Sequence, residues 1–407
     1  MPFCRTKCSF CNFASGVFSR ALFDRYVGQV CAEIEAANDT ARDLGGQLDC
    51  RVDSIYLGGG TPSVLAPDQL QRLFRAVREN FEVERTAEIT VECAPGTISG
   101  EVIDALLGRG VNRVSLGVQS FVDKESSSVG RLHSRAITLD DIARLRSSGI
   151  GNISIDLIAG LPHQTEESWQ LSLGETIGSG VPHVSVYMLE VDEDSRLGTE
   201  LLAGGSRYHA HFVPDDDRTA DLYLAACESL EQGGVQQYEI SNFARPVTHG
   251  IGLRDSKHNL KYWTRQPYLG FGVDAHSMLF AGDDLHATGI EAVRFATPDS
   301  LEGYSAANDV AARAEQLLAS RTLVNAQAAL EESFFLGLRL NRGVSVTALK
   351  AQFGDQAIGS CSTVIAELIE DGLVEHWADR LRLTSKGRLL SNEVFARFLR
   401  EETVDLH

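Results

Sequence analysis

The stretch DSIYLGGG, residues 53–60, is a short β-rich run that ends in three glycines. Four later stretches repeat the pattern of a β-rich run, a Gly or Pro turn, and a segment with the apolar spacing of an amphipathic helix. They are AEITVECAP (87–95), NRVSLGVQSF (112–121), NISIDLIAGLP (152–162) and HVSVYMLEV (183–191). Serial βα units predict an α/β fold with a parallel sheet, either open or closed into a barrel or partial barrel.

Polar residues lie near the C-terminal ends of three of these strand candidates. Alternation along the strands places Glu92, Gln119 and Asp156 there. One such residue alone is typical of a strand-end hydrogen bond. Functional residues of βα barrels lie at this edge, so three in register predict a polar pocket at one rim.

The composition limits the class of protein. With 407 residues, of which 43% are hydrophobic and 23% charged, the chain predicts two or three globular domains. A net charge of -19 argues against a general nucleic-acid binder, because phosphate backbones are held mainly by Lys and Arg. Neither a membrane-spanning apolar run nor a signal peptide is recognisable, so we expect a cytoplasmic protein.

The pattern changes twice along the chain. We expect a barrel core over residues 1–240 and a connecting α/β segment over 241–325 that carries the stretch HNLKYW. Residues 326–407 read as helices, a hairpin and a closing helix, which predict a small winged-helix-like domain. Acidic residues outnumber basic ones there, so we interpret the domain as a packing or lid module rather than a DNA binder.

Three cysteines cluster at the start of the chain. Cys4, Cys8 and Cys11 form a CxxxCxxC pattern, and no fourth ligand follows at short spacing, as a zinc site would need. A 4Fe-4S cluster held by three thiolates leaves one iron open to an outside ligand, such as the amino and carboxylate groups of S-adenosylmethionine. The other cysteines are predicted to be scattered buried thiols: Cys31, Cys50, Cys93, Cys227 and Cys361.

On these residues the chain resembles the radical SAM superfamily. The cysteine pattern has an aromatic residue, Phe10, before its third cysteine, and YLGGGTP carries Gly58 and the two glycines that follow it at the end of a strand. The resemblance implies a partial parallel (β/α) barrel with a 4Fe-4S cluster on the three cysteines. The residues that it implies for S-adenosylmethionine are Phe10, Gly59, Gly60, Thr61, Glu92, Gln119, Arg131 and Asp156; Arg131 rests on the resemblance alone.

Further motifs narrow the resemblance to the oxygen-independent coproporphyrinogen III oxidase-like family, over essentially the whole chain. They are VECAPGT, VSLGVQSF, VGRLHS, IDLIAGLPHQT, YEISNFARP and HNLKYW, in that group's order. The dehydrogenases of this group have a further cysteine where this chain has Phe13. The CNF form resembles instead the HemW heme chaperones, so we expect heme binding and delivery to an apo-hemoprotein, with a cellular electron donor as a further partner.

Two alternatives stay open at this point. One is radical decarboxylation of coproporphyrinogen propionates by a coproporphyrinogen III dehydrogenase. The other is a scaffold that binds S-adenosylmethionine without cleaving it. The sequence therefore leaves open whether the chain is an enzyme.

His258 of HNLKYW is the candidate heme ligand, because neutral imidazole is a common axial donor to heme iron. Tyr262 and Trp263 follow closely enough to suggest aromatic walls for a macrocycle. A loop histidine paired with a carboxylate is the plainer interpretation, and His276 and His286 are rival ligands.

The start of the chain departs from the family pattern. Family members begin with a strand of the YIHIP type before the cysteines, whereas this chain has only Met1, Pro2 and Phe3. We expect either a start recorded too late or a barrel that lacks its first strand.

Overall fold

A computed structural model describes residues 1–248, 251–307 and 310–399 of the chain. The predicted βα repeat folds into one seven-stranded sheet, with its strands in the order β2-β3-β4-β5-β6-β8-β7. The strands from β2 to β6 are parallel, and β8 and β7 extend the sheet with antiparallel pairings. The seven strands are β2 (Arg51–Leu57), β3 (Glu82–Cys93), β4 (Arg113–Gln119), β5 (Asn152–Ala159), β6 (His183–Met188), β7 (Gln236–Gln237) and β8 (Asn242–Ala244).

Helices follow the parallel strands and cover one face of the sheet. In this half of the chain they are α1 (Ala21–Glu35), α2 (Ala37–Asp43), α3 (Pro67–Asn80), α4 (Gly100–Leu107), α5 (Asp123–Ser128), α6 (Arg135–Ser147), α7 (Glu166–Ser179), α8 (Arg196–Ala203) and α9 (Asp216–Gln232), with short 3-10 turns at Pro62–Val64 and Ala210–Phe212.

The register separates an apolar face from a polar face. On the polar face Glu92 lies opposite Ser115, Ser115 opposite Ser154, and Ser154 opposite His183. On the face toward the helices a row of side chains is at most 3% exposed: Cys93, Leu116, Ile155 and Val184. Burial of that row against the helices forms the main core and leaves the polar row inside the barrel.

The sheet starts at β2, since no strand among the described residues pairs with its outer edge. The residues before the cysteines form an isolated bridge, Phe3 with Gly16, and their backbone also bonds to Gly58, Gly60 and Thr61 just beyond the end of β2. The two expectations for the start of the chain both stay predictions.

A second sheet and a small third one follow the barrel. The second is antiparallel, in the order β1 (Gly46–Gln47), β9 (His276–Ala281), β10 (Ile290–Ala296) and β11 (Thr322–Asn325). The third, in the order β12-β14-β13, comprises β12 (Val344–Ser345), β13 (Val374–Trp377) and β14 (Arg380–Leu383). The remaining helices are α10 (Lys257–Trp263), α11 (Asp283–His286), α12 (Leu301–Ala306), α13 (Val310–Ala319), α14 (Ala326–Gly337), α15 (Val346–Phe353), α16 (Asp355–Gly359), α17 (Ser362–Glu370), α18 (Ser385–Leu389) and α19 (Ser391–Ala396).

The α/β fold class, with its parallel sheet and its separate C-terminal helices and hairpin, is confirmed. The domain limits at residues 240 and 325 stay predictions. Residues 400–407 of the expected C-terminal domain, and 249–250 and 308–309 of the connecting segment, lie outside the described residues. Within the described ranges every helix is too short or too polar to cross a lipid bilayer.

Candidate functional site

The cysteine loop, residues 4–11, is held in place by distant parts of the chain. Ser9 donates its backbone N–H to the Val129 carbonyl at 3.1 Å and accepts the Leu197 N–H at 2.8 Å. The Cys4 N–H donates to the Gly16 carbonyl at 2.9 Å. Cys8 is buried, whereas Cys4 and Cys11 are half-buried. The loop therefore brings three free thiols together on one short segment of the chain.

The glycine triplet packs against residues 1–3, which lead directly into this loop. The Gly60 N–H donates to the Met1 carbonyl at 2.7 Å, and the Thr61 N–H to the Phe3 carbonyl at 2.8 Å. A Cβ atom at Gly60 would lie only 2.8 Å from both carbonyl oxygens. Because no side chain fits there, the sequence needs glycine at this contact. The Thr61 hydroxyl also reaches the Cys4 sulfur at 3.7 Å.

Glu92 and Asp156, two of the predicted rim residues, lie in the barrel interior, where their carboxyl groups accept hydrogen bonds from neighbouring groups. Glu92 accepts the Tyr56 hydroxyl at 2.8 Å and the Gly59 N–H at 2.9 Å. Asp156 accepts the Ser115 hydroxyl at 3.0 Å. Burial raises the pKa of both carboxyl groups, and the hydrogen bonds to the carboxylate oxygens oppose that rise.

Gln119 and Arg131 flank Gly117 at the neighbouring strand end. A Cβ at Gly117 would lie 3.2 Å from Arg131 Nη2 and 3.3 Å from Gln119 Nε2. Gln119 has a left-handed backbone, with φ of 62°, which turns its side chain at the end of β4. Gln119 Oε1 and Arg131 Nε are buried, and neither has a hydrogen-bond partner among the described residues. Such atoms suit a polar ligand.

The site fits the predicted cofactors by its donor chemistry. Burial raises the pKa of the Cys8 thiol, and the nearby Arg131 guanidinium opposes only part of that rise. Phe10 packs against Val129, Ile158 and Leu161 beside the thiols. Among the described residues no three His, Cys, Asp or Glu side chains converge on a single metal ion. A four-iron cluster does not require that convergence, because its thiolates bind different irons.

A cavity of about 820 Å³ runs from Gly58 and Gly59 along the outer edge of β2 to α10. Its volume lies in the range of small-molecule and cofactor pockets. Side chains that can contact a ring or a carboxylate line it: Arg51, Tyr56, His258, Lys261, Tyr262, Tyr268 and His276. The cavity therefore joins the glycine triplet to the predicted heme ligand.

His258 is oriented by aromatic neighbours. Its ring stacks on Tyr56 with 4.3 Å between centroids, and the Tyr262 hydroxyl lies 3.1 Å from its Nε2. Burial lowers the pKa of His258 to about 4, and the positive charges of Arg113 and Lys261 lower it further. The imidazole is therefore neutral at pH 7, the form that binds iron.

The start of α10 is anchored to the barrel interior. The Glu88 carboxylate accepts the His258 N–H and the Ser256 hydroxyl, both at 3.4 Å. The Ser256 N–H donates to the Tyr238 hydroxyl at 3.3 Å, and that hydroxyl lies 3.0 Å from His183 Nε2. This buried network fixes where His258 enters the cavity.

The other residues that the sequence suggested for heme binding lie in different places. Trp263 does not serve the cavity as suggested; its ring lies under the Arg339 guanidinium at 4.2 Å, toward the C-terminal helices. His276 lines the cavity but is largely exposed, 3.7 Å from Asp274. His286 lies on α11 beside Glu291, outside the cavity.

Tyr56 is a site residue that sequence reasoning missed. It alternates with Gly58 on the first strand candidate, and its register partner Thr90 shares a strand face with Glu92. The same alternation that selected Glu92 therefore selects Tyr56.

Comparisons with known proteins show which family the chain is similar to. The family model of the radical SAM superfamily matches residues 1–173, and that of the HemN C-terminal domain matches residues 324–390. The heme chaperone HemW of Lactococcus lactis is 32% identical over 402 residues, with 99% of this chain and 96% of the relative covered. That of Bacillus subtilis is 33% identical over 402 residues, with 98% of each covered.

A solved structure shows the same fold. The coproporphyrinogen III oxidase HemN from Escherichia coli superposes with a TM-score of 0.79 over 98% of this chain and 88% of that one. Its sequence identity of 24% supports a shared fold and nothing finer.

Proposed function

The chain belongs to the HemW family of the radical SAM superfamily, and from that premise we propose that it is a heme chaperone, which binds heme and passes it to an apo-hemoprotein. The observation that carries the proposal is His258, a neutral imidazole at the wall of the 820 Å³ cavity. Neutral imidazole is a common axial ligand of heme iron.

We propose that Cys4, Cys8 and Cys11 hold a 4Fe-4S cluster, which supplies an open iron position. The backbone of Gly59 and Gly60 carries no side chains, so it would be accessible to S-adenosylmethionine bound at that position.

The rim residues would hold S-adenosylmethionine by hydrogen bonds. Glu92 and Asp156 offer carboxylate oxygens to hydroxyl or ammonium groups, while Gln119 and Arg131 offer the buried polar atoms that have no partner in the described residues. Phe10 and Thr61 complete the wall near the thiols.

At the heme end, the residues of the cavity have separate roles. Tyr56 and Tyr262 contact the His258 ring and fix its plane. Lys261 and Arg51 suit the propionate groups, once these compete with their present partners Asp53 and Asp49. Tyr262 must release Nε2 before that nitrogen can bind iron.

We also propose a cytoplasmic location, with a cellular reductant for the cluster. All eight cysteines are free, as is usual in a reducing compartment.

The alternative activity, coproporphyrinogen III dehydrogenation, is opposed by Phe13. That side chain is 60% exposed at the position where the resemblance places a further cysteine in the dehydrogenases. A phenylalanine supplies no thiol to a substrate or cluster.

The test is a parallel assay on anaerobically reconstituted protein. We expect about one heme per chain on titration, and weaker binding or a shifted absorption spectrum in His258→Ala. His286→Ala, which removes an exposed histidine outside the cavity, is the control. If the protein converts coproporphyrinogen with S-adenosylmethionine and reductant and has no heme affinity, the dehydrogenase function is favoured over the heme chaperone.

A further inference from the structure

Two imidazoles meet on the barrel surface, outside the proposed cofactor and heme pockets. Nε2 of His163, in the turn after β5, lies 3.3 Å from Nδ1 of His209, in the loop after α8. The two residues are 46 positions apart in the chain. Both are half-buried, so solvent and dissolved ions reach them.

Both histidines have an unusual backbone conformation. Their φ angles are 68° and 60°, in the left-handed region that non-glycine residues rarely adopt. Only six described non-glycine residues have positive φ, and here two of them are in contact. Such strain persists where the surroundings impose it, and it is concentrated at functional sites.

The surroundings impose it here through hydrogen bonds to the backbone. The Glu200 carboxylate accepts the Tyr208 N–H at 2.8 Å and the Ala210 N–H at 3.2 Å, on either side of His209. The His163 N–H donates to the Phe212 carbonyl at 3.1 Å, and the rings of these two residues are 4.0 Å apart. The loop is thereby fixed so that the two imidazoles face each other.

The separation of the two nitrogens matches a shared metal ion. With metal–nitrogen bonds of about 2.0–2.1 Å at a tetrahedral angle, two ligand nitrogens lie roughly 3.3 Å apart. Lys124 lies near enough to His163 for its positive charge to act on the ring. The positive charge of Lys124 disfavours cations that bind only by electrostatics.

We propose that His163 Nε2 and His209 Nδ1 form a two-imidazole site for a first-row divalent metal ion that accepts nitrogen ligands, such as Zn²⁺. Because no three candidate ligand side chains converge anywhere in the described residues, the other coordination positions are open to water. The site is independent of the heme proposal, since it shares no residue with it.

Zn²⁺ binding to the cluster-loaded protein tests this site, with free Zn²⁺ set by equilibrium dialysis. We expect one Zn²⁺ per chain and at least a tenfold weaker affinity in His163→Asn and in His209→Asn. Asparagine tolerates the left-handed backbone, so the loop keeps its conformation. The double variant should lose little more than either single one, because one metal needs both rings. His286→Asn is the control.

Tryptic cleavage after the exposed Arg207 gives a second readout. Zn²⁺ should slow this cleavage in the native chain, by tying His209 to His163, and leave it unchanged in His209→Asn. Zn²⁺ affinity that survives in both single variants, or that is lost only in His211→Asn, would overturn the proposal. Equal slowing of cleavage in His209→Asn would do the same.

Discussion

At the scale of single residues, Tyr56 links the two ends of the cavity. Its hydroxyl donates to Glu92 at 2.8 Å, while its ring stacks on His258. One side chain therefore orients both a carboxylate proposed for S-adenosylmethionine and the histidine proposed for heme.

We predict that Tyr56→Phe weakens S-adenosylmethionine binding by up to about tenfold, because Glu92 loses the hydrogen bond that orients its carboxylate. That hydrogen bond lowers the pKa of Glu92, which burial raises, so its loss raises the pKa further. As the pH is lowered, the affinity for S-adenosylmethionine should begin to fall at a higher pH in the variant than in the native chain, because Glu92 becomes protonated at a higher pH. Equilibrium dialysis across pH measures this, with Tyr268→Phe as the control. Identical pH profiles would show that Glu92 does not contact the cofactor.

His258 leads to a second residue-scale prediction. A free histidine is half protonated near pH 6.5, whereas burial lowers the pKa of His258 to about 4. The ring stays neutral until the pH approaches that value, so heme affinity should be flat between pH 8 and pH 6 and fall only below about pH 5. Spectroscopic heme titration at a series of pH values checks this. A clear fall in heme affinity between pH 7 and pH 6 would show that the ligand is not His258.

At the scale of elements, alternation was enough to predict the five parallel strands and the rim residues Glu92, Gln119 and Asp156. Alternation could not predict β7 and β8, because strands of two or three residues are too short to show a repeating pattern. The four-stranded second sheet joins β1 with strands more than 200 residues later, a long-range pairing that local pattern does not encode.

The placement of Trp263 shows a limit of reasoning from spacing. Tyr262 is four residues from His258 and shares its helix face, whereas Trp263 is five residues away and points elsewhere. Nothing local in the sequence indicates that Arg339, two residues after the end of α14, covers its ring.

Helix α14 holds α10 in place through a buried ion cluster. Glu332 accepts Arg265 Nε at 2.7 Å and Arg294 Nη1 at 3.0 Å, and both Glu332 and Arg265 have side chains only 7% exposed. Arg265 follows α10 directly, so the C-terminal helices fix the end of the helix that carries His258.

We predict that Glu332→Ala destabilises the protein by about 3 kcal/mol, because it leaves the buried Arg265 charge without a partner. Heme affinity should fall as well, since α10 loses its anchor. Thermal unfolding and heme titration measure the two effects, and Glu331→Ala, one residue along the same helix, is the matched control. An unchanged melting temperature would mean that Arg265 finds water or another acceptor.

At the scale of the whole molecule, the cysteine loop joins parts of the chain that are far apart in sequence. Its backbone bonds reach Gly16, Val129 and Leu197, and the glycine triplet after β2 packs on residues 1–3, just before the loop. The scaffold therefore positions the three thiols by its own hydrogen bonds. A cluster would strengthen a loop that is already shaped, rather than create it.

This gives a prediction for the whole chain. Cys8→Ser should lose most of the iron and acid-labile sulfide, because serine replaces a buried thiol that we propose as a cluster ligand. The far-UV circular dichroism should stay unchanged, since the hydrogen bonds that hold the loop come from its backbone. Cys31→Ser removes a half-buried thiol on α1 and should keep its iron and sulfide. If Cys8→Ser retains iron and sulfide while Cys31→Ser loses them, the cluster lies elsewhere, and the proposed cofactor pocket beside the loop loses its electron source.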